Sequence, residues 1–285
     1  MAVLDIDSEI HLRDAVGRLE NAGIDQPLLE AELLLALAAG VKRLDVLVGL
    51  SRPLTATEQE QFEALISRRC SREPLAYIRQ SQEFYGLDFE IGPGVLIPRP
   101  ETELLVDLAQ EMMGDRGGTV MDIGTGSGCI AVAAAVRMQN VRVVATESSD
   151  CALPYARRNA ARHGTADRIE FVRASGLDSI EDAAISVILS NPPYIPTDVI
   201  PTLQPEVRNY EPRQALDGGR DGLAIIRTLV TQSPRVLQHD GWLAIEVGLG
   251  QAANVMELML PAGFLNIASR KDLAGIDRVV IGRKS

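Results

Sequence analysis

Cysteine, histidine, aromatic residues and basic charge are all scarce in this chain. The cysteines, Cys70, Cys129 and Cys151, lie far apart and show no metal-ligand spacing, and His11, His163 and His239 are equally isolated. A bound metal is therefore not expected. Free thiols read as those of a cytosolic, hence cytoplasmic, protein. Lys and Arg total 28 against 39 Asp and Glu, a formal net charge of -11, which argues against a dominant phosphate-gripping surface. No apolar run is long enough to span a membrane. The first residues, MAVLDIDSEI, lack the basic start and apolar core of a signal peptide. What is present is ordinary for a globular protein: 46% hydrophobic and 24% charged residues over 285 positions, enough for one large domain and a smaller one.

Residues 1–75 carry helical patterns and no convincing strand. Ser8 is placed to cap a helix reaching Gly23, and Pro27 to start a leucine-rich one ending at Gly40. A short segment follows over 44–48. Thr55 and Glu58 have capping-box spacing before a helix to Arg69. This reads as a small helical bundle, residues 1–75. From Ala76 to Ile97 the pattern changes to a β-hairpin around Gly86, a linker over 76–97. Residues 98–285 then read as one larger domain. Strands are expected at 119–123, 141–146, 168–173, 185–190 and 241–247, alternating with helices at 128–138, 150–163, 222–237 and 251–260. Such alternation implies a mostly parallel sheet covered on both faces. Segments 264–270 and 277–282 have no helix between them and are expected to pair antiparallel, at an edge or inserted. Segment 195–221, rich in Pro, Gly and charge, reads as a substrate-facing lid.

Two motifs carry chemistry. Asn191-Pro192-Pro193-Tyr194 ends the apolar run Ile185–Ser190, and open α/β sheets bind ligands at the carboxyl ends of such strands. The Asn191 side chain offers a carbonyl acceptor, the Pro192 backbone offers a second, and Pro193 fixes it beside the aromatic Tyr194. That set fits a planar NH2 group, whether a carboxamide or an amino-purine. The second motif is Gly124-Thr125-Gly126-Ser127-Gly128, between a strand and a helix. It lacks the third glycine of the dinucleotide fingerprint, where Cys129 stands, and the Lys-Ser/Thr of a nucleotide-hydrolase loop. Glu147 ends the next strand, where a carboxylate accepts from ribose hydroxyls. Together these suit S-adenosylmethionine, a nucleoside without phosphate.

The chain resembles the bacterial protein-glutamine N5-methyltransferases that modify class-1 peptide chain release factors, the PrmC/HemK family. The likeness runs over nearly the whole length. It is carried by Arg72-Glu73-Pro74-Leu75-Ala76-Tyr77-Ile78, Glu83-Phe84-Tyr85-Gly86-Leu87, Pro98-Arg99-Pro100-Glu101-Thr102-Glu103, the glycine loop, the tetrapeptide and Asp272-Leu273-Ala274-Gly275-Ile276-Asp277-Arg278. The resemblance implies a class I S-adenosylmethionine-dependent methyltransferase, α/β and Rossmann-like, with a seven-stranded mostly parallel sheet and a small N-terminal helical bundle. It implies that Gly124 through Gly128, Glu147 and Asn191 hold the cofactor. Asn191, Pro192, Pro193 and Tyr194 would hold the glutamine side chain, with Asn191, Pro192 and Tyr194 catalytic. The family's acidic-aromatic stretch near the adenine is replaced here by Ser175-Gly176-Leu177, so Leu177 is expected to pack on the adenine. The expected partner is a release factor, met by a monomer without membrane or direct nucleic-acid contacts. Methylation of a ribosomal-protein glutamine, or of an adenine amino group, is the alternative. A cofactor-binding module without catalysis is a further one. Arg99, Glu101 and Glu103 read either as an entrance or domain latch or as a solvated helix start, and Glu246 as either a core-edge or a pocket carboxylate.

Overall fold

The computed structural model describes residues 6–49, 52–177 and 180–285, with side chains from Ile10 onward. The chain divides into two compact units. One runs to Gln80 and takes in Gln204–Tyr210; the other comprises Ser81–Leu203 and Glu211–Ser285.

The first unit is helical: α1 (Ile6–Asn21), α2 (Pro27–Ala39), α3 (Arg43–Leu47), α4 (Ala56–Cys70) and α5 (Leu75–Arg79). Its core follows from side chains three and four apart. Leu12, Ala15 and Leu19 of α1 meet Ala31, Leu34 and Leu35 of α2 and Phe62 and Ile66 of α4. Pro27 opens α2 and Gly40, at φ 66°, closes it. Thr55 and Glu58 form the capping box of α4. Helix α1 begins at Ile6, so Ser8 lies within it rather than before it, and the Ser8 side chain lies outside the described residues.

The segment 195–221 is not the structureless lid expected from its composition. It contains α9 (Pro205–Tyr210) and 3-10 turns at Ile200–Thr202 and Arg213–Ala215. Helix α9 belongs to the helical unit, held there by an ion cluster. Arg69 pairs with Glu30 and, at 3.0 Å, with Glu206, while Arg72 donates to Glu206 at 2.8 Å. Burial pushes the Glu206 carboxyl up, but hydrogen bonds from Arg72 and Arg69 outweigh it and hold the group below its ordinary range. Its stabilisation is therefore present above the unfolded carboxylate pKa and lost as pH falls through the lower folded value. Glu206→Ala removes one acceptor from the buried Arg69, which keeps Glu30, and one from Arg72, which keeps Ala22 O and Gly23 O, and so destabilises by about 1–3 kcal/mol. The expected result is faster protease cleavage within 204–210; an unchanged cleavage pattern would show that the cluster does not hold α9.

The second unit opens with the hairpin β1 (Ser81–Phe84) and β2 (Leu87–Glu90). Its two-residue turn has Tyr85 and Gly86 at φ 56° and 73°, both left-handed as a type I′ turn needs. The stretch 76–97 is thus split: 76–80 go with the helices, and the hairpin goes with the sheet. Asn159 fastens it, donating to Glu90 O and Ser127 O and accepting from Glu90 N, each within 2.9 Å.

After α6 (Glu103–Met113) come β3 (Gly118–Ile123), α7 (Cys129–Arg137), β4 (Val141–Glu147), α8 (Ala152–Arg162), β5 (Ile169–Arg173) and β6 (Ile185–Ser190). Then follow α10 (Ala224–Val236), β7 (Leu237–Glu246), α11 (Ala252–Met259), β8 (Phe264–Lys271) and β9 (Asp277–Lys284). The sheet order is β5-β4-β3-β6-β7-β9-β8. The first five strands run parallel and β9 is antiparallel to both neighbours. Strand β6 is buried at every position, as a central parallel strand covered on both faces requires. Side chains alternate along β3: Met121 and Ile123 join a core with Ile226 and Leu229 of α10, while Asp122 faces α7. The last two strands take both expected positions, β9 inserted between β7 and β8 and β8 at the edge. Asp272 closes their turn, accepting from Ala274 N and Ile276 N and pairing with Arg278.

Candidate active site

The chain runs outward from β3 to β5 and then returns to place β6 on the other side of β3, so a crevice opens at the carboxyl ends of β3 and β6. A cavity of about 210 Å³ lies there. The loop after β3 forms one wall through Gly124, Thr125, Gly126 and Ser127, and Asn191, Pro192 and Pro193 after β6 form another. Glu147 closes the end of β4, and Arg99 and Thr102 come from the segment before α6.

The glycine loop is held from three directions. Gly124 N and Thr125 N donate to Thr146 O, the Thr125 hydroxyl donates to Asp122 at 2.5 Å, and Gly126 N donates to Glu147 Oε2 at 2.9 Å. Gly124 and Gly126 have φ of 75° and 56°, and a Cβ on either would meet open space. The freedom is thus conformational, and the open side faces whatever the crevice admits. Gly128 has another reason: a Cβ there would sit 3.0 Å from Ala156 Cα. It is not among the cavity's lining residues, and the packing of α7 on α8 is by itself a reason for a glycine there.

Glu147 Oε1 also accepts from Ser148 N and Ser149 N, both at 2.8 Å. Three of a carboxylate's roughly four acceptor positions are thus used by backbone, and one remains on Oε2. Asp122 is fully buried, which pushes its carboxyl up to about 7, and its Oδ1 has no partner. Burial likewise pushes the Cys129 thiol up to about 12, making it an inert wall residue. Among the described residues no cluster of His, Cys, Asp and Glu is placed to hold a metal.

The expectation for Leu177 is corrected, and Tyr194 lies off the cavity wall. Leu177 is fully buried in the core with Ile123, Ile226 and Leu229, and the cavity wall there is Ala174, Ser175 and Gly176. An aliphatic side chain gains more from that core than from a half-open wall. Tyr194 does not line the cavity. Its hydroxyl donates to Glu246 and its carbonyl accepts from Gln251 Nε2 at 2.9 Å. Burial raises its phenol above the ordinary range.

Asn191 sits at the cavity as expected, its Nδ2 donating to Thr102 Oγ1 at 3.1 Å. Thr102 was missed from sequence, although it stands in the middle of Pro-Arg-Pro-Glu-Thr-Glu. Glu211 was missed too, and nothing in the sequence marks it. Its buried carboxylate pairs with Arg99 and accepts from Ile97 N at 3.1 Å. Arg99 therefore lines the cavity in a fixed place. Glu103 instead accepts from Tyr85 N at 2.7 Å, fastening the hairpin turn, and Glu101 is exposed. Of its two alternatives Glu246 fits the core-edge one: it ends β7 under the tetrapeptide, 1% exposed and off the cavity wall, bonded to Thr102 and Tyr194.

Known proteins with this architecture place it further. A release factor glutamine methyltransferase of Geobacter sulfurreducens is 45% identical over 94% of this chain and 93% of its own length. This chain belongs to the release factor glutamine methyltransferase family. The namesake of Nitratidesulfovibrio vulgaris is 39% identical over 96% of this chain and 94% of its own length. The PrmC N-terminal domain model matches residues 11–79, and the methyltransferase small domain model matches 100–200. In fold, the sheet unit is similar to a methyltransferase from Pyrococcus furiosus, with a TM-score of 0.54, 23% identity, and coverage of 70% of this chain and 90% of that one.

The crevice fits the family's methyl donor, S-adenosylmethionine, on its own chemistry. Its charged lining residues are Glu147 and Arg99 alone among those described, and Arg99 is neutralised by Glu211. That leaves a carboxylate for ribose and no cationic cradle for a pyrophosphate.

Proposed function

We propose that this chain transfers the methyl group of S-adenosylmethionine to the side-chain amide nitrogen of the glutamine in the Gly-Gly-Gln loop of class-1 peptide chain release factors. The observation that carries this reading is the Asn191 carboxamide at the end of β6, tied by its nitrogen to Thr102 with its oxygen left over. Beside it Pro192 contributes a backbone carbonyl that no Pro192 amide hydrogen accompanies.

When bound, S-adenosylmethionine supplies an electrophilic methyl group on a sulfonium. Glu147 and the loop from Gly124 to Ser127 hold it, with Ala174, Ser175 and Gly176 as the wall on the adenine side. An amide nitrogen is a poor nucleophile because its lone pair is delocalised into the carbonyl. Asn191 Oδ1 and Pro192 O accept its two N–H bonds and favour the more positive nitrogen of the transition state, a preorganised electrostatic effect. Fixed acceptors also hold the nitrogen in line for attack. No strong base is needed beforehand, since the nitrogen becomes acidic as it gains the methyl group and its proton then passes to solvent water. Tyr194, with its hydroxyl on Glu246, stiffens the loop rather than stacking on the amide.

The helical unit, with α9 bound into it, serves recognition of the protein substrate. Among the described residues no helix is long and apolar enough to cross a membrane. The test uses purified protein, labelled S-adenosylmethionine and a class-1 release factor, with Gln→Ala in its Gly-Gly-Gln loop as control. Label is expected in the normal factor and not in the control. Equal labelling of both would remove the assignment of the glutamine.

A further inference from the structure

Beneath the tetrapeptide the Asn191–Thr102 bond continues as a relay to a buried carboxylate that the reaction described so far does not use. Asn191 Nδ2 donates to Thr102 Oγ1 at 3.1 Å, and Thr102 Oγ1 donates to Glu246 Oε2 at 2.7 Å. The Tyr194 hydroxyl donates to the other carboxylate oxygen, Glu246 Oε1, at 3.3 Å. Thr102 is 2% exposed and Glu246 1% exposed, so water does not compete freely for either group.

The proton inventory of this relay decides the orientation of Asn191. A carboxamide has almost the same shape either way round, but one end only accepts and the other only donates. A carboxylate only accepts. The ionised Glu246 therefore takes the single Thr102 hydroxyl proton and leaves Thr102 Oγ1 with lone pairs alone. Asn191 must offer its NH2 to those lone pairs, which turns Oδ1 the other way. Oδ1 has no hydrogen-bond partner among the described residues. The reversed carboxamide would set an NH2 against the NH2 of an incoming glutamine, donor against donor.

We propose that Glu246 and Thr102 are positioning residues that lock the Asn191 carboxamide with its oxygen toward the substrate amide. The proposal rests on the reading of Asn191 as an acceptor for that amide. It also gives the site a means of preferring glutamine over glutamate, because a fixed acceptor has no bond to make with a carboxylate and repels it.

Four variants test it. Thr102→Val keeps the shape and removes the hydroxyl. It is expected to lower kcat by about 10- to 100-fold, the scale of a misaligned reacting group. The KM for release factor, the cofactor Kd and the melting temperature should stay near those of the parent. Thr102→Ser, which restores the hydroxyl, should recover most of the rate. Glu246→Gln abolishes the charge that dictates the direction of the relay. Glu246 is faced by Thr102 and Glu101 before α6, by Tyr194, by Arg278 on β9 and by Cys129 at the start of α7. Burial, opposed by Thr102 and Arg278, pushes its carboxyl up to about 7. The kcat of the parent should accordingly rise with pH through about 7, and Glu246→Gln should flatten that rise. A normal kcat in Thr102→Val, beside a defective Asn191→Ala, overturns the relay alone. A normal kcat in Asn191→Ala overturns the acceptor reading and the relay with it. Failure of Thr102→Ser to recover rate, with a lowered melting temperature in both Thr102 variants, reassigns Thr102 to a purely structural role.

Discussion

Asn191→Ala is expected to lower kcat by about 10²–10³, the usual cost of deleting one preorganised hydrogen-bond partner of a transition state. The cofactor Kd should change by no more than a few-fold, because Glu147 and the loop after β3 remain. The fold should tolerate the change: Asn191 is only partly buried, and the one bond lost is its donation to Thr102. Thr102 keeps its proton on Glu246, so no buried donor is orphaned. Asn191→Asp is not a conservative control. Its carboxylate would face Thr102 Oγ1, whose only proton already goes to Glu246, and two acids would share one hydroxyl. One of them must then take up a proton, so this variant should regain activity only toward low pH. Single-turnover measurement with saturating cofactor and release factor reads the chemical step directly. A rate within a few-fold of the parent would remove Asn191 from the mechanism.

Much of this arrangement was legible in the sequence because local chemistry and global fold agree there. Ile185–Ser190 reads as a central strand since every residue is apolar or small, and burial at every position bears this out. Thr55 with Glu58, Pro27 with Gly40, and Gly86 each announce a cap or turn by residue type, and each forms one. What was not legible depends on contacts between distant segments. Glu211 and Arg99 are more than a hundred positions apart, and nothing local says that one neutralises the other. Helix α9 reads as loop because its stability comes from Arg69 and Arg72 rather than from its own short sequence. Leu177 and Tyr194 were assigned outward from motif position. Side-chain direction is set instead by the core that Ile226 and Leu229 build and by the buried carboxylate of Glu246. Gly128 shows the same limit: the motif marks it as special, but only Ala156 on the next helix explains why.

Glu147→Gln is expected to raise the cofactor Kd by about 10²–10³ with a much smaller effect on kcat at saturation. Two effects add. A carboxylate that accepts from a ribose hydroxyl becomes a neutral amide, and a hydrogen bond to a charged group contributes about 1.5–3 kcal/mol. The amide also brings its own hydrogens. If the carbonyl end keeps Ser148 N and Ser149 N at the Oε1 position, the NH2 end must face Gly126 N, which now donates to Oε2 at 2.9 Å. Donor then opposes donor, and the glycine loop is pushed from the wall it forms. Reversing the amide moves the clash to Ser148 and Ser149, so neither rotamer is free of it. Calorimetric titration with S-adenosylmethionine separates binding from catalysis, and thermal unfolding without cofactor reads the loop alone. A lowered melting temperature with an unchanged Kd would mean that Glu147 only staples the loop after β3 to the end of β4. A raised Kd with little change in melting temperature would mean that its remaining acceptor position is the one the ribose needs.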